Sequence, residues 1–276
     1  MSKVLVTGCS GYIGSHLCQV LKKDNTITVH GLDKNNPIVA VDKFYKQNIL
    51  DLQTLEEEYD CVIHLAAEVS VGESVKDPIK YYTTNVVGTL NVLEHIKTKR
   101  LVVASTGAAE QLNSPYGISK KAMEEVVFQY CKNKNLPVTV FRFYNVVGSD
   151  GVAPTNPDGL FYALINAINT GKFTIFGNDY NTIDGTCIRD YCHVNEICNA
   201  LIAGISDSTN QIENLGHGVG TSVKEMIQLF KTINHCDFEV AIGPRREGDI
   251  EISVLSNPSE LMKKTYAIEE LLRFTK

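Results

Sequence analysis

Three glycines near the start of the chain have a spacing that suits phosphate binding. Gly8, Gly11 and Gly14 follow an apolar run, Val4–Val6, and precede a predicted helix. Glycine has no side chain to keep a pyrophosphate away from the backbone, and a helix amino terminus offers unpaired N–H groups and a partial positive charge. The spacing is Gly-x-x-Gly-x-x-Gly, so the commoner dinucleotide fingerprint is met only in part. The alternative interpretation is a tight turn whose glycines serve packing.

An acidic residue follows this turn at the distance that a dinucleotide site requires. Asp33 ends the second predicted strand, 19 residues after Gly14. A carboxylate there can accept hydrogen bonds from the ribose hydroxyls of adenosine, and it repels a 2′-phosphate. The sequence therefore favours NAD over NADP as cofactor. A turn residue is the alternative, because aspartate is common where strands end.

A tyrosine and a lysine four residues apart are the candidates for acid–base chemistry. Tyr116 and Lys120 share one face of a predicted helix that begins after Ser114-Pro115. A nearby ammonium and a positively charged nicotinamide would both favour the phenolate of a tyrosine, whose pKa is otherwise near 10. We predict that Tyr116 removes a proton from a hydroxyl while hydride leaves the same carbon. Thr106 ends a predicted strand ten residues earlier, where its hydroxyl could bind the reacting oxygen.

The elements that must position these residues alternate between strand and helix. Short apolar runs predict strands at Val4–Val6, Ile27–Leu32, Cys61–Leu65, Leu101–Ala104 and Val138–Phe141. The stretches between them predict helices at His16–Lys22, Ile79–Lys97 and Tyr116–Lys132. This alternation predicts an α/β fold with a doubly wound parallel sheet of the Rossmann type.

The pattern changes after about residue 149. Residues 151–159 are rich in Pro, Asn and Asp and predict a loop, and the following residues mix short strands with helices near Phe161–Asn169, Val194–Ile205 and Val223–Ile233. We predict an NAD-binding Rossmann domain over residues 1–149. We predict that residues 150–276 form a smaller mixed α/β substrate lobe, interleaved with the first domain.

Composition excludes several classes of protein. The formal net charge of −6 argues against a broad basic surface for nucleic acid. No apolar run approaches the roughly 18 residues of a membrane span, and no secretory signal opens the chain. The eight cysteines contain no Cys-x-x-Cys pair, which favours a reducing, cytoplasmic location. The seven histidines are scattered, so we expect no metal centre.

Several motifs resemble those of the UDP-glucose 4-epimerase family, within the extended short-chain dehydrogenases/reductases. They are residues 7–16, 71–74, 114–117, 175–180, 184–186, 189–191 and 244–249, together with Asn85 and Gly88-Thr89. The resemblance extends from about residue 2 to about residue 255. It implies NAD-dependent epimerisation at C4 of UDP-hexoses, through transient oxidation to a 4-keto sugar.

The resemblance also implies a role for each matching residue. Tyr116 would be the acid/base, Lys120 would hold the cofactor, and Thr106 would replace the usual serine beside the tyrosine. Residues implied to bind the cofactor are Gly8, Gly11, Tyr12, Ile13, Gly14, Asp33, Asn48, Ile49, Leu65, Ala66, Ala67, Asn85, Lys120 and Tyr144. Residues implied to bind the UDP-sugar are Thr106, Asn145, Phe176, Arg189, Arg246, Asp249 and Ser253.

Ser253 bears on the choice of sugar. It lies seven residues after Arg246, where family members restricted to unmodified hexoses tend to have tyrosine. Members that accept N-acetylhexosamines tend to have a small residue. We therefore expect UDP-GlcNAc and UDP-GalNAc to be accepted as well.

The chain departs from the family pattern at three places. The stretch between Thr106 and Tyr116 is short. Val69 occupies a position where bacterial epimerases often have lysine, and Asn48 one where an aspartate commonly contacts the adenine.

Two other functions stay open at this point. A nucleotide-sugar 4,6-dehydratase or decarboxylase is one, although Thr106 is followed by Gly107-Ala108-Ala109 and not by the acid pair a dehydratase needs, and Glu110 is the only acid nearby. A non-catalytic protein that binds NAD or a UDP-sugar is the other.

Apolar faces on the helices Ile79–Lys97 and Tyr116–Lys132 could also pair two subunits in a four-helix bundle, as the resemblance implies.

Overall fold

The computed structural model describes residues 1–262, Tyr266 and residues 268–273. The chain divides into two compact units. The first contains Met1–Arg142 and Cys198–Glu213, and the second contains Phe143–Ile197 and Asn214–Lys276. The boundary thus lies at residue 143, where the sequence pattern predicts 150, and the chain returns to the first unit once.

The first unit contains most of the strands and helices expected from the sequence. Its strands are β1 (Ser2–Thr7), β2 (Ile27–Asp33), β3 (Lys43–Lys46), β4 (Glu58–Tyr59), β5 (Cys61–His64), β6 (Lys97–Thr98), β7 (Leu101–Thr106) and β8 (Val138–Phe143). Its helices are α1 (Tyr12–Leu21), α2 (Val71–Lys76), α3 (Pro78–Tyr82), α4 (Gly88–His95), α5 (Ala108–Gln111) and α6 (Pro115–Lys134). A 3₁₀ turn covers Ile49–Asp51 and a π-helical segment covers Thr83–Val87.

The remaining elements follow in the second half of the chain. They are β9 (Asn145–Val147), α7 (Leu160–Thr170), β10 (Lys172–Phe176), β11 (Ile188–His193), α8 (Val194–Ser206), β12 (Gln211–Leu215), β13 (Gly220–Ser222), α9 (Val223–Ile233), β14 (Glu239–Gly243), β15 (Ile252–Ser253) and α10 (Ile268–Leu271). Most of α8 belongs to the first unit.

A seven-stranded sheet organises the first unit. Its strand order is β12-β8-β7-β5-β1-β2-β3, and β1 pairs in parallel with both β2 and β5. The order reverses at β1, so this is the topological switch point of a doubly wound sheet, where ligands bind beyond the carboxyl ends of the strands. Thr7, Asp33, His64 and Thr106 are the last residues of β1, β2, β5 and β7. The predicted Rossmann-type sheet is therefore confirmed, and two predicted site residues, Asp33 and Thr106, share its carboxyl edge.

The sheet holds its shape because its strands are apolar on both faces. Continuous runs of apolar residues are typical of parallel strands that helices cover on both sides. One buried cluster packs residues of the strands and of α4 and α6, and its members include Leu5, Leu32, Val62, Val92, Val103, Met123, Val127 and Val140. The rigid core thus supports the edge at which the candidate residues lie.

The predicted helix at Ile79–Lys97 is wrong in detail. It comprises α3, the π-helical segment and α4, and Lys97 begins strand β6. The π-helical residues Thr83-Thr84-Asn85-Val86-Val87 are mostly β-branched, and such side chains crowd the preceding helical turn. The predicted helix His16–Lys22 begins four residues earlier, at Tyr12, directly after Gly11. The other predicted elements agree to within two residues at each end.

The second unit is a smaller mixed α/β structure, as predicted. Strand β11 lies at its centre, pairing with β13 and β15 on its sides and, further along, with β9. Strands β10 and β14 form a separate parallel pair. A second apolar cluster, which includes Phe161, Leu164, Ile175, Tyr191 and Phe230, packs α7 and α9 against these strands. In the part of the chain that is described, no helix is both long and apolar enough to cross a membrane.

Candidate active site

The glycine turn after β1 can close only because its residues lack side chains. Gly8 has a φ of +73°, and a Cβ built on it would lie 2.7 Å from the backbone nitrogen of Ala66. A Cβ on Gly14 would lie 2.1 Å from the carbonyl oxygen of Gly8. Both distances are far below van der Waals contact with backbone that cannot move aside. The turn therefore brings the first turn of α1 directly against the end of β1.

The start of α1 is the natural anion site of this unit. Serine side chains cap α2, α6 and α9, through Ser70, Ser114 and Ser222. Among the described residues, no side chain caps α1, whose N-cap is Gly11. Backbone amides at a helix amino terminus that no side chain caps suit a pyrophosphate. Gly11, Tyr12, Ile13 and Gly14 supply this backbone, and their contact with a cofactor stays a prediction.

The acidic residue at the end of β2 lies next to the glycine turn. The carboxylate of Asp33 accepts hydrogen bonds from the backbone N–H of Ser10 at 3.1 Å and of Asn35 at 2.9 Å. On the other side of β1, the N–H of Leu65 donates to the carbonyl of Thr7, and that of Ala66 donates to the Thr7 hydroxyl. Asp33 and residues 65–67 thus border the turn on both sides.

The other predicted cofactor residues of this unit have partners within the protein. Asn48 caps the 3₁₀ turn by accepting from the N–H of Leu50 at 3.0 Å, and Ile49 is buried in the core. Asn85 donates to Ser119 Oγ at 2.9 Å and to the carbonyl of Glu68, and it accepts from the Glu68 N–H. Contact of these residues with a cofactor stays a prediction.

A buried hydrogen-bond network around one histidine supports the same edge. His64 pairs through Nδ1 with Thr7 Oγ1 at 2.7 Å and through Nε2 with Thr89 Oγ1 at 2.9 Å. Burial lowers the pKa of His64 to about 3, so the ring is neutral. The Thr89 hydroxyl donates to the carbonyl of Asn85. The network ties β1 and β5 to the helix that lies beside them.

The candidate acid–base residue is enclosed and held by its neighbours. Tyr116 is 9% exposed, its ring meets that of Tyr81 edge to face at 6.3 Å, and the Thr106 side chain lies close enough to its hydroxyl to lower the pKa of the phenol. Thr106 Oγ1 also accepts from the N–H of Ala108 at 3.2 Å. A Cβ on Gly117 would lie 2.4 Å from the Ala108 carbonyl, so glycine lets α6 pack closely on α5. The structure therefore brings Thr106 and Tyr116 together, as predicted.

The low tyrosine pKa expected from the sequence is not a property of the polypeptide alone. Burial raises the pKa of Tyr116 to about 12, and the nearby Thr106 side chain acts in the opposite direction. The ammonium of Lys120 is hydrogen-bonded to the Met123 sulfur, at 3.3 Å. Within the described protein, burial outweighs the influences that lower the tyrosine pKa, so the expected phenolate with bound nicotinamide stays a prediction. A second cation is required to reverse the balance.

Lys120 is the most unusual charge of the site. It is 3% exposed, and burial lowers its pKa to about 8, although the nearby Glu124 carboxylate raises it. A thioether is a weak acceptor for a buried ammonium, which normally requires strong ones. The ribose hydroxyls of a dinucleotide would provide them. Together with the uncapped α1 and the glycine turn, this residue shows that the unit fits NAD.

The acid nearest to Thr106 in sequence is already paired. Glu110, on α5, forms an ion pair with Arg142 near the end of β8. Arg142 in turn binds the buried carboxylate of Glu124 on α6. Sequence reasoning missed this cluster, since its members come from three separate elements. Glu110 is thus anchored by Arg142, and this weakens the case for a dehydratase acid there.

The predicted substrate residues of the second unit gather around β11. Asn145 on β9 pairs with Tyr191, and its side chain donates to the Asp190 carbonyl at 3.4 Å. Ser253 on β15 pairs in register with Arg189. Tyr144, a predicted cofactor residue, donates its backbone N–H to the carbonyl of Leu215 in this unit.

A cationic cluster lies beside Ser253. Arg189 Nη2 is 4.0 Å from the Asp249 carboxylate, and the guanidinium of Arg246 lies 3.9 Å from the ring centroid of Phe176. Burial raises the pKa of Asp249, while Arg189 and Arg246 oppose that rise. The neighbouring Arg245 instead pairs with Asp179 on the surface. Two guanidinium groups near one carboxylate, with that of Arg246 over an aromatic ring, suit a pyrophosphate and a planar base.

Comparison with known proteins places the chain in a family. The sequence model of the NAD dependent epimerase/dehydratase family matches residues 4–216, so the chain belongs to this family. The UDP-glucose 4-epimerase of Mycoplasma genitalium is 35% identical, over 92% of this chain and 88% of that protein. The resemblance seen in the sequence motifs is thereby confirmed.

Solved structures agree. The UDP-glucose 4-epimerase of Brucella ovis, in complex with NAD, has a TM-score of 0.87 and 27% identity, covering 99% of this chain and 97% of that chain. The UDP-Glc/GlcNAc 4-epimerase of Campylobacter jejuni has a TM-score of 0.78 and 30% identity, with 99% and 97% coverage. Among the described residues, no group of three metal-ligating side chains is present.

Proposed function

We propose that the protein catalyses NAD-dependent epimerisation at C4 of UDP-hexoses, interconverting UDP-glucose and UDP-galactose. The observation that carries this proposal is buried Tyr116, with the Thr106 side chain near its hydroxyl, one helical turn before buried Lys120. The first unit is the NAD-binding domain and the second the UDP-sugar lobe. The epimerase relatives and the NAD complex of the Brucella ovis enzyme support this assignment.

The chemistry assigns one task to each side chain of the first unit. NAD, held by the glycine turn, Asp33 and Lys120, supplies hydride transfer when bound. Tyr116 Oη takes the proton from the O4 hydroxyl as the 4-keto sugar forms, and returns it when the opposite face is reduced. Thr106 orients the phenol and the sugar oxygen, since its side chain lies near the Tyr116 hydroxyl and favours the phenolate. The lysine charge favours the phenolate that burial alone disfavours.

The second unit anchors the nucleotide. UDP carries two negative charges that Arg189 and Arg246 can bind, Phe176 offers a ring for the uracil, and Asp249 can accept from the uridine ribose. Asn145 lies on the neighbouring strand β9, and we assign it a contact with the sugar. Epimerisation requires a firm grip on UDP and a loose one on the hexose, because the 4-keto ring must turn over. A charged cluster that serves the pyrophosphate fits this requirement.

A single assay tests the proposal against its rivals. Purified protein supplied with NAD and UDP-galactose should yield UDP-glucose, with no net NADH. Water loss to a 4-keto-6-deoxy sugar would indicate a dehydratase, and release of carbon dioxide from UDP-glucuronate a decarboxylase. Binding of NAD and UDP without any turnover would establish the non-catalytic alternative and overturn the proposal.

Ser253 sets the second part of the proposal, which concerns N-acetylated sugars. Because this small side chain lies beside Arg189 in register, it leaves room for a 2-acetamido group. We expect turnover of UDP-GlcNAc, and we expect Ser253→Tyr to lower kcat/KM for it by at least about tenfold, the effect of losing roughly 1.4 kcal/mol of binding. Steady-state kinetics with both sugar pairs measures this, and Ser253→Ala is the matched control. Equal losses for both pairs would contradict the assignment.

We propose that two chains associate through a four-helix bundle. Apolar side chains stay exposed on α3, α4 and the segment between them: Ile79 is 71% exposed, Val87 46% and Leu90 42%. Exposed apolar surface of this kind favours a protein partner. Sedimentation equilibrium should give about twice the chain mass, and Leu90→Glu should give the single-chain mass with unchanged circular dichroism. A monomeric wild type would exclude the dimer.

We propose a cytoplasmic location. The eight cysteines are free thiols, and seven of them are buried. A chain with this many thiols and no disulfide suits a reducing compartment. A UDP-sugar and NAD are the small-molecule partners, and nucleic acid is not among them.

A further inference from the structure

A buried carboxylate lies behind the candidate active site. Glu124 is on α6, four residues after Lys120, and it is fully buried. It accepts hydrogen bonds from Ser105 Oγ at 2.6 Å and from Arg142 Nε and Nη2 at 2.8 and 2.6 Å. The contact with Arg142 is a two-pronged one, the strongest geometry for a carboxylate and a guanidinium.

This carboxylate connects the elements that carry the active-site hydroxyls. Ser105 is the residue before Thr106 on β7, and Arg142 is the next-to-last residue of β8. Arg142 also holds Glu110 on α5. The short connection from Thr106 to Tyr116 is thereby held in place by contacts at Ser105 before it, at Glu110 within it and at Glu124 on the helix that follows it.

Stability alone is a poor explanation for such a cluster. Removing two charges from water costs free energy that their attraction often fails to exceed, so a buried ion pair is weak evidence for stability. An apolar group of similar size would fill the same space more simply. The cluster is better explained by what it positions, which is the hydroxyl of Thr106, the phenol of Tyr116 and the ammonium of Lys120.

We infer that Glu124 is a positioning residue for the proposed epimerisation, fastening the Thr106–Tyr116 pair and presenting its negative charge to Lys120. This inference rests on the proposed function. Glu124 does not itself contact the reacting atoms; it acts through Ser105 and Arg142 on one side and through Lys120 on the other.

The charges around Lys120 give the direction of the effect. Its neighbours are Glu124 on its own helix, His64 from β5, which is neutral, and the sulfur of Met123. Glu124 itself faces Arg142 from β8 and Lys121, at 3.7 Å, from α6. Burial lowers the pKa of Lys120 to about 8 and Glu124 raises it. Without this carboxylate, Lys120 should therefore lose its proton at lower pH, and the alkaline limb of the kcat–pH profile should move in the same direction.

Glu124→Gln tests the inference. We expect kcat to fall by about 10–10²-fold, as for a misplacement of about 1 Å at a reacting centre, with KM for the UDP-sugar changed less. The alkaline limb should shift to lower pH. Glu125→Gln is the matched control, since Glu125 lies one residue further on α6, is exposed and pairs with Lys121. It should behave as the wild type in both respects.

A second readout does not depend on turnover. The pKa of Lys120 can be measured in the protein without NAD by NMR of lysine labelled at its ε-carbon, assigned with Lys120→Met. It should be lower in Glu124→Gln than in the wild type. An unchanged lysine pKa together with an unmoved alkaline limb would overturn the inference even if kcat fell. An inactive wild type would instead contradict the proposed function. The titration would still show whether Glu124 raises the pKa of Lys120.

A further variant covers the case in which Glu124→Gln does not fold. Ser105→Ala removes only the link between β7 and the carboxylate and keeps every charge. We expect kcat to fall by about tenfold with the alkaline limb unmoved, because Lys120 still faces Glu124. Wild-type kcat in this variant would show that the carboxylate does not position Thr106.

Discussion

Tyr116→Phe should lower kcat by about 10²–10⁴-fold, the usual contribution of a positioned acid–base group. The variant loses one oxygen atom and keeps the ring. Its edge-to-face contact with Tyr81 and its burial are preserved, so folding should be unaffected. What is lost is the hydroxyl near Thr106 that can accept and return the O4 proton.

The measurement is kcat and KM for UDP-galactose, together with the dissociation constants of NAD and UDP. We expect both dissociation constants to change little, because Tyr116 serves the reacting hydroxyl and not the anchors. Tyr130→Phe is the matched control. Tyr130 lies near the other end of α6, where its hydroxyl donates to the Leu93 carbonyl at 2.8 Å, so the same atom is removed away from the site. Unimpaired turnover by Tyr116→Phe would exclude the proposed chemistry.

The pKa of Tyr116 depends on the positive charges around its phenol. In the polypeptide alone, burial raises the Tyr116 pKa to about 12, which leaves little phenolate at neutral pH. Each unit by which the pKa is lowered requires about 1.4 kcal/mol of stabilisation of the phenolate. A cation close to the buried phenol can provide this stabilisation. Lys120 is already present in the polypeptide, so oxidised nicotinamide would supply the additional cation. The base is therefore expected to form when NAD is bound.

Local patterns in the sequence were enough to predict the sheet and the glycine turn. Gly8, Gly14 and Asp33 all lie within one strand–helix–strand unit, β1-α1-β2. In such a unit, the number of residues between two positions largely determines how far apart they lie in the structure. Tyr116 and Lys120 share a helix face for the same reason. Such features depend on backbone geometry alone, which the residue types largely determine.

The supporting contacts could not be predicted in this way. Ser105, Glu124 and Arg142 come from three elements, and only the order of strands in the sheet brings them together. The π-helical segment was equally hidden, because periodicity does not distinguish a widened turn from a regular one. In the second unit, the pairing of Arg189 with Ser253 depends on strand register, which residue types and spacing along the chain do not reveal.

The second large effect is expected at Lys120, where activity and stability should change in opposite directions. Lys120→Met should lower kcat by about 10²-fold or more, since it removes a preorganised charge from the reacting centre. The same variant should be more stable than the wild type without NAD. A lysine pKa near 8 instead of 10.5 corresponds to about 3 kcal/mol against the buried ammonium. Methionine fills similar space with no charge to bury.

The pH dependence separates this cause from better packing. Between about pH 8 and 10.5 the unfolded chain keeps the Lys120 proton and the folded chain loses it, so wild-type stability gains from Lys120 as pH rises. The advantage of Lys120→Met should thus be full below pH 8 and shrink towards pH 10.5. Buried thiols act in the opposite direction, because burial raises the pKa of Cys61 and of Cys131 to about 12. They are common to both proteins, so the difference between the two curves isolates the lysine.

Urea unfolding of both proteins without NAD, over this pH range, provides the test. Lys132→Met is the matched control, because Lys132 is exposed on the same helix and the two residue types have similar helix propensity. It should leave stability and kcat nearly unchanged. A Lys120→Met protein that is less stable than the wild type at pH 7 would show that the ammonium is well solvated or paired. In that case the buried ammonium of Lys120 would not lower the stability of the folded protein, and the proposed trade of stability for activity would be wrong.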